Sequence, residues 1–271
     1  MNGQETAGVI KVDEIPYPWV KKELTLDKTY ALGDNGPKVK IIQEWLCLHD
    51  QHIRPDGDFG PATDYALRQF QKALGTPENG VVDEATFNAL ILPMLRVLTP
   101  LEIGSQTLND LMGAYAQKHL AENPREVGGE NCGPWVRLYM KGNQGVDWKW
   151  CAGFTCFILQ QAVNSMGMAM PFKPSFLCDD LGDRADSQGL LVAAEDLAQG
   201  TPPKREMPQG SFFLRRSSKG KWGHTGLVIE FAEKIFKTIE GNTNDDGSAN
   251  GYEVFNQVHG YPGYDFIRIP A

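Results

Sequence analysis

The apolar positions of this chain change their period along its length. From Gly36-Pro37, Val39, Ile42 and Leu46 recur beside Ile41, Trp45 and Leu48, three and four residues apart. This is helical spacing, and Pro37 stands where a first-turn proline belongs. The turn cluster Pro55-Asp56-Gly57-Asp58-Phe59-Gly60 interrupts it. A second periodic segment carries Ala62, Tyr65, Ala66, Gln69, Phe70 and Leu74 and closes at Gly75. After Pro77-Glu78-Asn79-Gly80, Asp83 is placed to cap a third helix bearing Phe87, Leu90 and Ile91. Residues 31–92 therefore read as three short helices around one small core. Residues 1–30, broken by Pro16 and Pro18, read as an irregular leader.

Pro93 and Pro100 bracket a boundary, expected as a linker over 93–104. Beyond it, Leu108, Leu111, Met112, Tyr115 and His119 lie along one helical face. WVRLYM opens a helix at Pro134, and CAGFTCFILQQAVNSMGM is a strongly apolar helix beginning at Cys151. Residues 167–209 are rich in Pro and Gly and read as irregular, with one short helix around 191–199. From 210 onward the period falls to two: GSFFLRR, GHTGLVIEF, KIFKTIEG, YEVFNQV and YDFIRIP read as strands. Helices followed by an antiparallel sheet define an α+β chain of two domains, the second spanning 105–271.

Composition narrows the functional classes. The net charge is −8, with 26 Lys and Arg against 34 Asp and Glu. The acid excess is spread along the chain, which argues against nucleic-acid binding and against adhesion to an anionic membrane. No run of about 18 apolar residues is present, so no membrane span is expected. The opening MNGQETAGVIKVDEIPYPWVKK lacks an apolar signal core, so synthesis in the cytoplasm without a secretory signal is expected. A chain of 271 residues can bury a core without a metal or disulfide staple.

Five cysteines, at 47, 132, 151, 156 and 178, form no C-x-x-C pair. An odd number leaves at least one free thiol. Cys151 follows the turn-rich GNQGVDWKW and starts an apolar helix, where unpaired N–H groups and the helix dipole lower a thiol's pKa. Small Ala152 and Gly153 would let a substrate backbone approach. Cys132 precedes a helix and is the rival. Cys47 and Cys156 read as core, and Cys178 as a loop residue. His49 and His52 lack a third metal ligand, His119 reads as a helix-face residue, and Asp56-x-Asp58 reads as a turn rather than a calcium loop.

A base follows from the hairpin. If GHTGLVIEF and KIFKTIEGN turn about Glu233, His224 faces Asn242, and Glu240 is its diagonal neighbour on the same face, about 7–8 Å away at the backbone. Leu227, Ile229, Phe231, Ile235 and Ile239 then take the opposite face. His259, in a Gly-flanked stretch, is a weaker candidate.

Two resemblances rest on these residues. LGDNGPKVKIIQEWL, DGDFGPATDYALRQFQKALG and NGVVDEATFNAL together resemble the three-helix peptidoglycan-binding domain of cell-wall hydrolases, over about 60 residues. NCGPWVRLYM, DWKWCAGFTCFIL, GHTGLVIEF and IEGNT resemble the CHAP family of bacterial cysteine- and histidine-dependent amidohydrolases and peptidases. The second resemblance implies a papain-like α+β fold and catalytic residues Cys151, His224, Glu240 and Asn242. Trp150, Gly153 and Gly223, within the matching blocks, are the expected substrate-binding positions. The 167–209 stretch and the extra cysteines depart from that family's pattern. The implied activity is cleavage of an amide in the peptide stem of peptidoglycan, as amidase or endopeptidase, with no cofactor or metal. The implied settings are a phage lysin or an injected antibacterial effector acting at the wall or periplasm. A monomer is expected, with an immunity protein as partner in the effector case. The alternatives are a non-catalytic wall-binding protein or a cysteine hydrolase of another peptide.

Overall fold

The structure, a computed structural model, describes residues 8–218, 221–246 and 250–270. In chain order its elements are α1 (Pro18–Leu24), α2 (Pro37–Leu48), α3 (Pro61–Leu74), α4 (Glu84–Leu98), α5 (Leu108–Ala121), α6 (Pro134–Tyr139), α7 (Cys151–Met166), α8 (Cys178–Ser187), β1 (Leu191–Val192), α9 (Ala194–Ala198), β2 (Phe212–Arg216), β3 (Trp222–Phe231), β4 (Ile235–Thr243), β5 (Glu253–Gly260) and β6 (Tyr264–Ile267). The chain is a mixture of helices and one antiparallel sheet. It divides into two compact units: the described residues up to Thr99 together with Arg125–Gly145, and Pro100–Pro124 together with the described residues from Val146.

In the first unit, α2 and α3 each begin with a proline, and the Asp83 carboxylate accepts the Thr86 N–H at 2.8 Å to cap α4. Two buried glutamines tie the turns to these helices. Gln43 of α2 donates to Asp56 and to the Asp58 carbonyl, and accepts the Gly57 N–H at 2.7 Å. Gln71 of α3 repeats the device: it donates to Asn79 and the Val81 carbonyl, and accepts the Gly80 N–H at 3.0 Å. Gly80 has φ +68°, and a Cβ there would stand 2.0 Å from the Asp64 carboxylate.

Three sequence expectations change here. The leader, of which residues 1–7 lie outside the described residues, contains α1, which buries Val20, Glu23 and Leu24. Its prolines start a helix rather than forbid one. Pro93 lies inside α4, which continues to Leu98, so the expected 93–104 linker begins within a helix. Burial of Leu90, Ile91, Leu92, Met94, Leu95, Val97 and Leu98 offsets the proline's cost of about 3 kcal/mol. Third, Arg125–Gly145 belongs to the first unit, so that unit's described residues add α1 and α6 to the three expected helices.

The joining group is Arg137 of α6. Its guanidinium grips both carboxylate oxygens of Glu23 on α1, at 2.8 and 2.5 Å, and reaches Glu44 of α2 at 2.6 Å and Gln144 at 2.7 Å. Glu44 is 1% exposed at its side chain and Arg137 is 16%. This is a buried ion cluster, whose members depend on one another for solvation lost on folding.

In the second unit the strand order is β1-β6-β2-β3-β4-β5, antiparallel throughout. One sheet face carries Phe213, Val228, Phe236 and Phe266, packed with Leu197 and Met207. On β4, Gly241 lies against Phe154 and Trp150, so α7 packs closely on that strand. Thr107 and Asp110 form a reciprocal capping box on α5. The 167–209 stretch is more ordered than its composition suggests: it contains α8, β1 and α9. Among the described residues no helix is long and apolar enough to cross a membrane.

Candidate functional site

α7 starts at Cys151 after Trp150, and its apolar body anchors the thiol rigidly. Cys151 is 4% exposed. Cys178 is not a loop residue: it is the first residue of α8, and its Sγ lies 3.9 Å from the Cys151 Sγ. Cys156 is buried in α7 and contacts the Ser175 carbonyl at 3.5 Å, and Cys47 contacts the Ile53 carbonyl at 3.2 Å. Cys132 lies in the first unit. All five are free thiols.

His224 is near the start of β3 and is 1% exposed. The β3–β4 register pairs Leu227 with Ile239 and Val228 with Thr238, the alignment expected from a turn at Glu233. Continued one step, it sets Gly226 opposite Glu240. The glutamate side chain crosses the bare face of Gly226 and its Oε2 meets the His224 Nε2 at 2.8 Å. A carboxylate only accepts, so Nε2 carries the hydrogen. Nδ1 is the nitrogen that Glu240 does not hold, and it is buried without a hydrogen-bond partner of regular geometry.

The opposite-face expectation needs correcting at Phe231. The register shifts between Val228 and Glu230, so Phe231 pairs with Phe236 and packs with the Val228 cluster instead of with Leu227. One extra residue in a strand reverses the faces beyond it.

Asn242 does not take the position facing His224. Its φ is +58°, and the β4–β5 register breaks between Glu240 and Thr243. The side chain turns instead to Asn250, 3.5 Å from Nδ2 to Oδ1. Trp150 is fully buried against Gly241 and Gly153 is buried in α7, so neither is presented as a substrate surface; Gly223 is exposed. A tryptophan before the cysteine serves the core because Gly241 leaves room for its ring.

His259 was underrated by sequence reasoning. It lies on β5 opposite Phe236, and its Nε2 is 2.6 Å from Glu240 Oε1. The Thr238 hydroxyl donates to the same oxygen at 2.5 Å. One strand, β4, separates His259 from His224 in the sheet, and no local motif links them. The usable signal was register: β5 returns antiparallel beside β4 and carries its histidine on the Glu240 face.

The electrostatics follow the contacts. Burial pushes Glu240 up, but the hydrogen bonds from His224 and His259 more than offset this and bring it down to about 2. Burial pushes His224 down, but the Cys151 thiol and then Glu240 raise it to about 9. Cys151 is held well below the ordinary thiol value of 9.0, first by the Cys178 thiol and then, against burial, by His224. Cys178 moves the opposite way. A thiolate beside an imidazolium is the favoured protonation state near neutral pH. Cys132, by contrast, is pushed up by burial.

His119 and His49 serve packing. His119 is wholly buried, bonded to Gln161 at 2.8 Å, and burial brings its pKa down to about 3. His49 bonds the Leu90 carbonyl at 2.8 Å and packs on Phe70. Asp56 holds the Asp58 N–H and Gln43, as a turn residue does. Among the described residues no group of three or more His, Cys, Asp or Glu side chains is arranged to hold a metal ion.

Residues 35–90 match the family described as "Putative peptidoglycan binding domain". A solved structure of a fused Zn-dependent amidase/peptidase/peptidoglycan-binding domain-containing protein from Clostridium acetobutylicum ATCC 824 is 41% identical over 23% of this chain, with a TM-score of 0.23; the match spans 28% of that protein. The SleB N-terminal domain is 30% identical over 24% of this chain and 92% of its own, with a TM-score of 0.24. No curated protein matches the chain.

Proposed function

We propose that the chain is a cysteine-dependent peptidoglycan hydrolase, cutting an amide of the peptide stem, in which residues 35–90 hold the wall polymer and the second unit does the chemistry. The observation that carries this is the coupling of a free, acid-shifted thiol at a helix start to an imidazole whose far nitrogen is fixed by a buried carboxylate. The peptidoglycan-binding family match supplies the substrate class. On this reading the second unit is a papain-like domain of the CHAP kind.

In the proposed reaction, the Cys151 thiolate attacks the amide carbonyl carbon. First-turn N–H groups of α7 stabilise the oxyanion, since a helix start presents donors that lack helix partners. The tetrahedral species collapses as the C–N bond breaks, and the leaving nitrogen takes the proton from His224 Nδ1. Neutral His224 then accepts a proton from water as the water attacks the thioester. The acid product leaves, and the proton returns the imidazolium–thiolate pair. Glu240 keeps Nε2–H occupied, so that Nδ1 is the nitrogen that cycles. The orienting role falls to Glu240, at 2.8 Å, rather than to Asn242. The small domain raises the local concentration of the wall substrate through covalent linkage. Action as a phage lysin or as an injected effector both fit this chemistry.

Digestion of purified peptidoglycan by the wild-type chain and by Cys151→Ala, with products identified by mass spectrometry, tests this. Soluble fragments are expected from the wild type alone. A new amino terminus on L-alanine identifies an amidase, and new ends within the stem identify an endopeptidase. Undiminished cleavage by Cys151→Ala overturns the nucleophile, and no cleavage by the wild type leaves a binding protein.

A further inference from the structure

His259 is a buried-side polar group that the proposed reaction does not use, although it touches the site. Its Nε2 donates to Glu240 Oε1 at 2.6 Å, on the oxygen that His224 does not hold. Its other nitrogen is 3.1 Å from the Tyr264 hydroxyl. The ring packs against Phe213, Phe236 and Tyr264, with centroids 5.5, 5.3 and 5.1 Å away. Three aromatic walls and two polar contacts leave this imidazole one orientation.

The carboxylate needs such a partner. Glu240 is 1% exposed, on a face that carries Phe213, Phe236 and Phe266, and it starts from a strand opposite Gly226, not opposite His224. Its side chain must lean along the sheet to reach the imidazole. A buried anion with one free oxygen would turn toward any available donor, or take up a proton. Donors on both oxygens remove that freedom. Thr238 alone cannot do so, because its hydroxyl can rotate to the Gln257 carbonyl, 3.5 Å away.

We infer that His259 is a positioning residue for the Cys151–His224 pair: it clamps the second oxygen of Glu240, holding the carboxylate anionic and aimed at His224 Nε2. It touches neither thiol nor substrate. The inference deepens the cysteine-hydrolase reading and rests on it for its effect on turnover. The charged and titratable groups around the ring are Glu240 on β4, His224 beyond it on β3, Arg215 on β2 and Tyr264 on β6. When His259 is lost, Glu240 can swing from His224, the imidazolium loses its counter-charge, and the thiolate loses its partner.

The test uses the full chain with His259→Ala and His259→Gln; glutamine keeps a donor without an ionisable ring. Two readouts are taken: kcat and KM on solubilised peptidoglycan fragments, and the rate of Cys151 alkylation by iodoacetamide against pH, read by mass spectrometry of the Cys151 peptide. His259→Ala is expected to lower kcat about tenfold with KM within about twofold, the effect of one charge-assisted hydrogen bond. The alkylation midpoint is expected to move to higher pH, and His259→Gln is expected to recover most of both. If the alanine chain does not fold, His259→Met, which fills the space without a donor, replaces it. A kcat and an alkylation profile within twofold of wild type for the donor-free variant overturn the inference, as does a folded glutamine variant no better than it. The alkylation needs no wall substrate. Absent turnover in the wild type therefore sinks the hydrolase reading while the clamp is still decided.

Discussion

A Cβ on Gly226 would stand 2.8 Å from the Cγ of Glu240. The same Cβ would lie 2.8 Å from Phe213 Cε1 and 3.1 Å from the Ile239 carbonyl, so no neighbour can yield freely. The second glycine of G-H-T-G is thus the floor over which the glutamate reaches the histidine. Gly226→Ala is expected to cost about 1–3 kcal/mol by overpacking and to lower the hydrolysis rate more than tenfold, because Glu240 is displaced. Urea denaturation and a wall-digestion assay check the two parts. A stable, fully active alanine variant would show that the glutamate has another path.

Glu240→Gln removes the charge that supports the imidazolium. With Glu240's contribution gone, burial is opposed by Cys151 only, so the His224 pKa is expected to fall from about 9. The alkaline limb of the rate profile, set by loss of the proton that the leaving amine needs, should move acidward with it. Rate profiles of the wild type and Glu240→Gln between about pH 6 and 10 check this, and an unmoved alkaline limb would remove Glu240 from the account.

Cys178 is the largest influence lowering the Cys151 pKa. Cys178→Ala is expected to raise the pH midpoint of Cys151 alkylation, and Cys178→Ser, which keeps a donor, to leave it closer to wild type. Iodoacetamide rates measured against pH distinguish these. Equal midpoints in all three chains would remove Cys178 from the account.

In the first unit, Arg137→Met would leave Glu23 and Glu44 buried without their cation. The expected loss is about 3–5 kcal/mol near pH 8. Glu44 is already pushed up by burial, so without Arg137 it takes up a proton readily, and the loss should shrink at pH 5. Chemical denaturation at both pH values measures the difference. A loss that did not change with pH would indicate packing rather than charge.

Much of this molecule is legible locally. Helical spacing and capping signals placed α2, α3, α4, α5 and α7, and alternation placed the strands from β2 to β6. Cys151, His224 and Glu240 each stand out because a motif surrounds them. The hairpin register brought the last two together, since an antiparallel pair joined by a short turn has a computable partner for each residue. Other features were illegible because they depend on distant partners. The bulge after Val228 and the left-handed Asn242 are local responses to packing that no periodicity records. α8 hid in a segment whose prolines and glycines disguised ten helical residues.

By itself, the sequence determined α2 to α5, α7 and the strands from β2 to β6, the thiol at a helix start and the hairpin that delivers a carboxylate to an imidazole, because each arises from contacts near in the chain. Tertiary structure alone decided that Cys178 lies beside Cys151, that His259 closes on Glu240 and that Arg137 draws residues 125–145 into the first unit. Those pairings join residues 19 to 114 positions apart. They exist because burying a charge or a reactive thiol demands a partner, and folding, not proximity in sequence, selects which one.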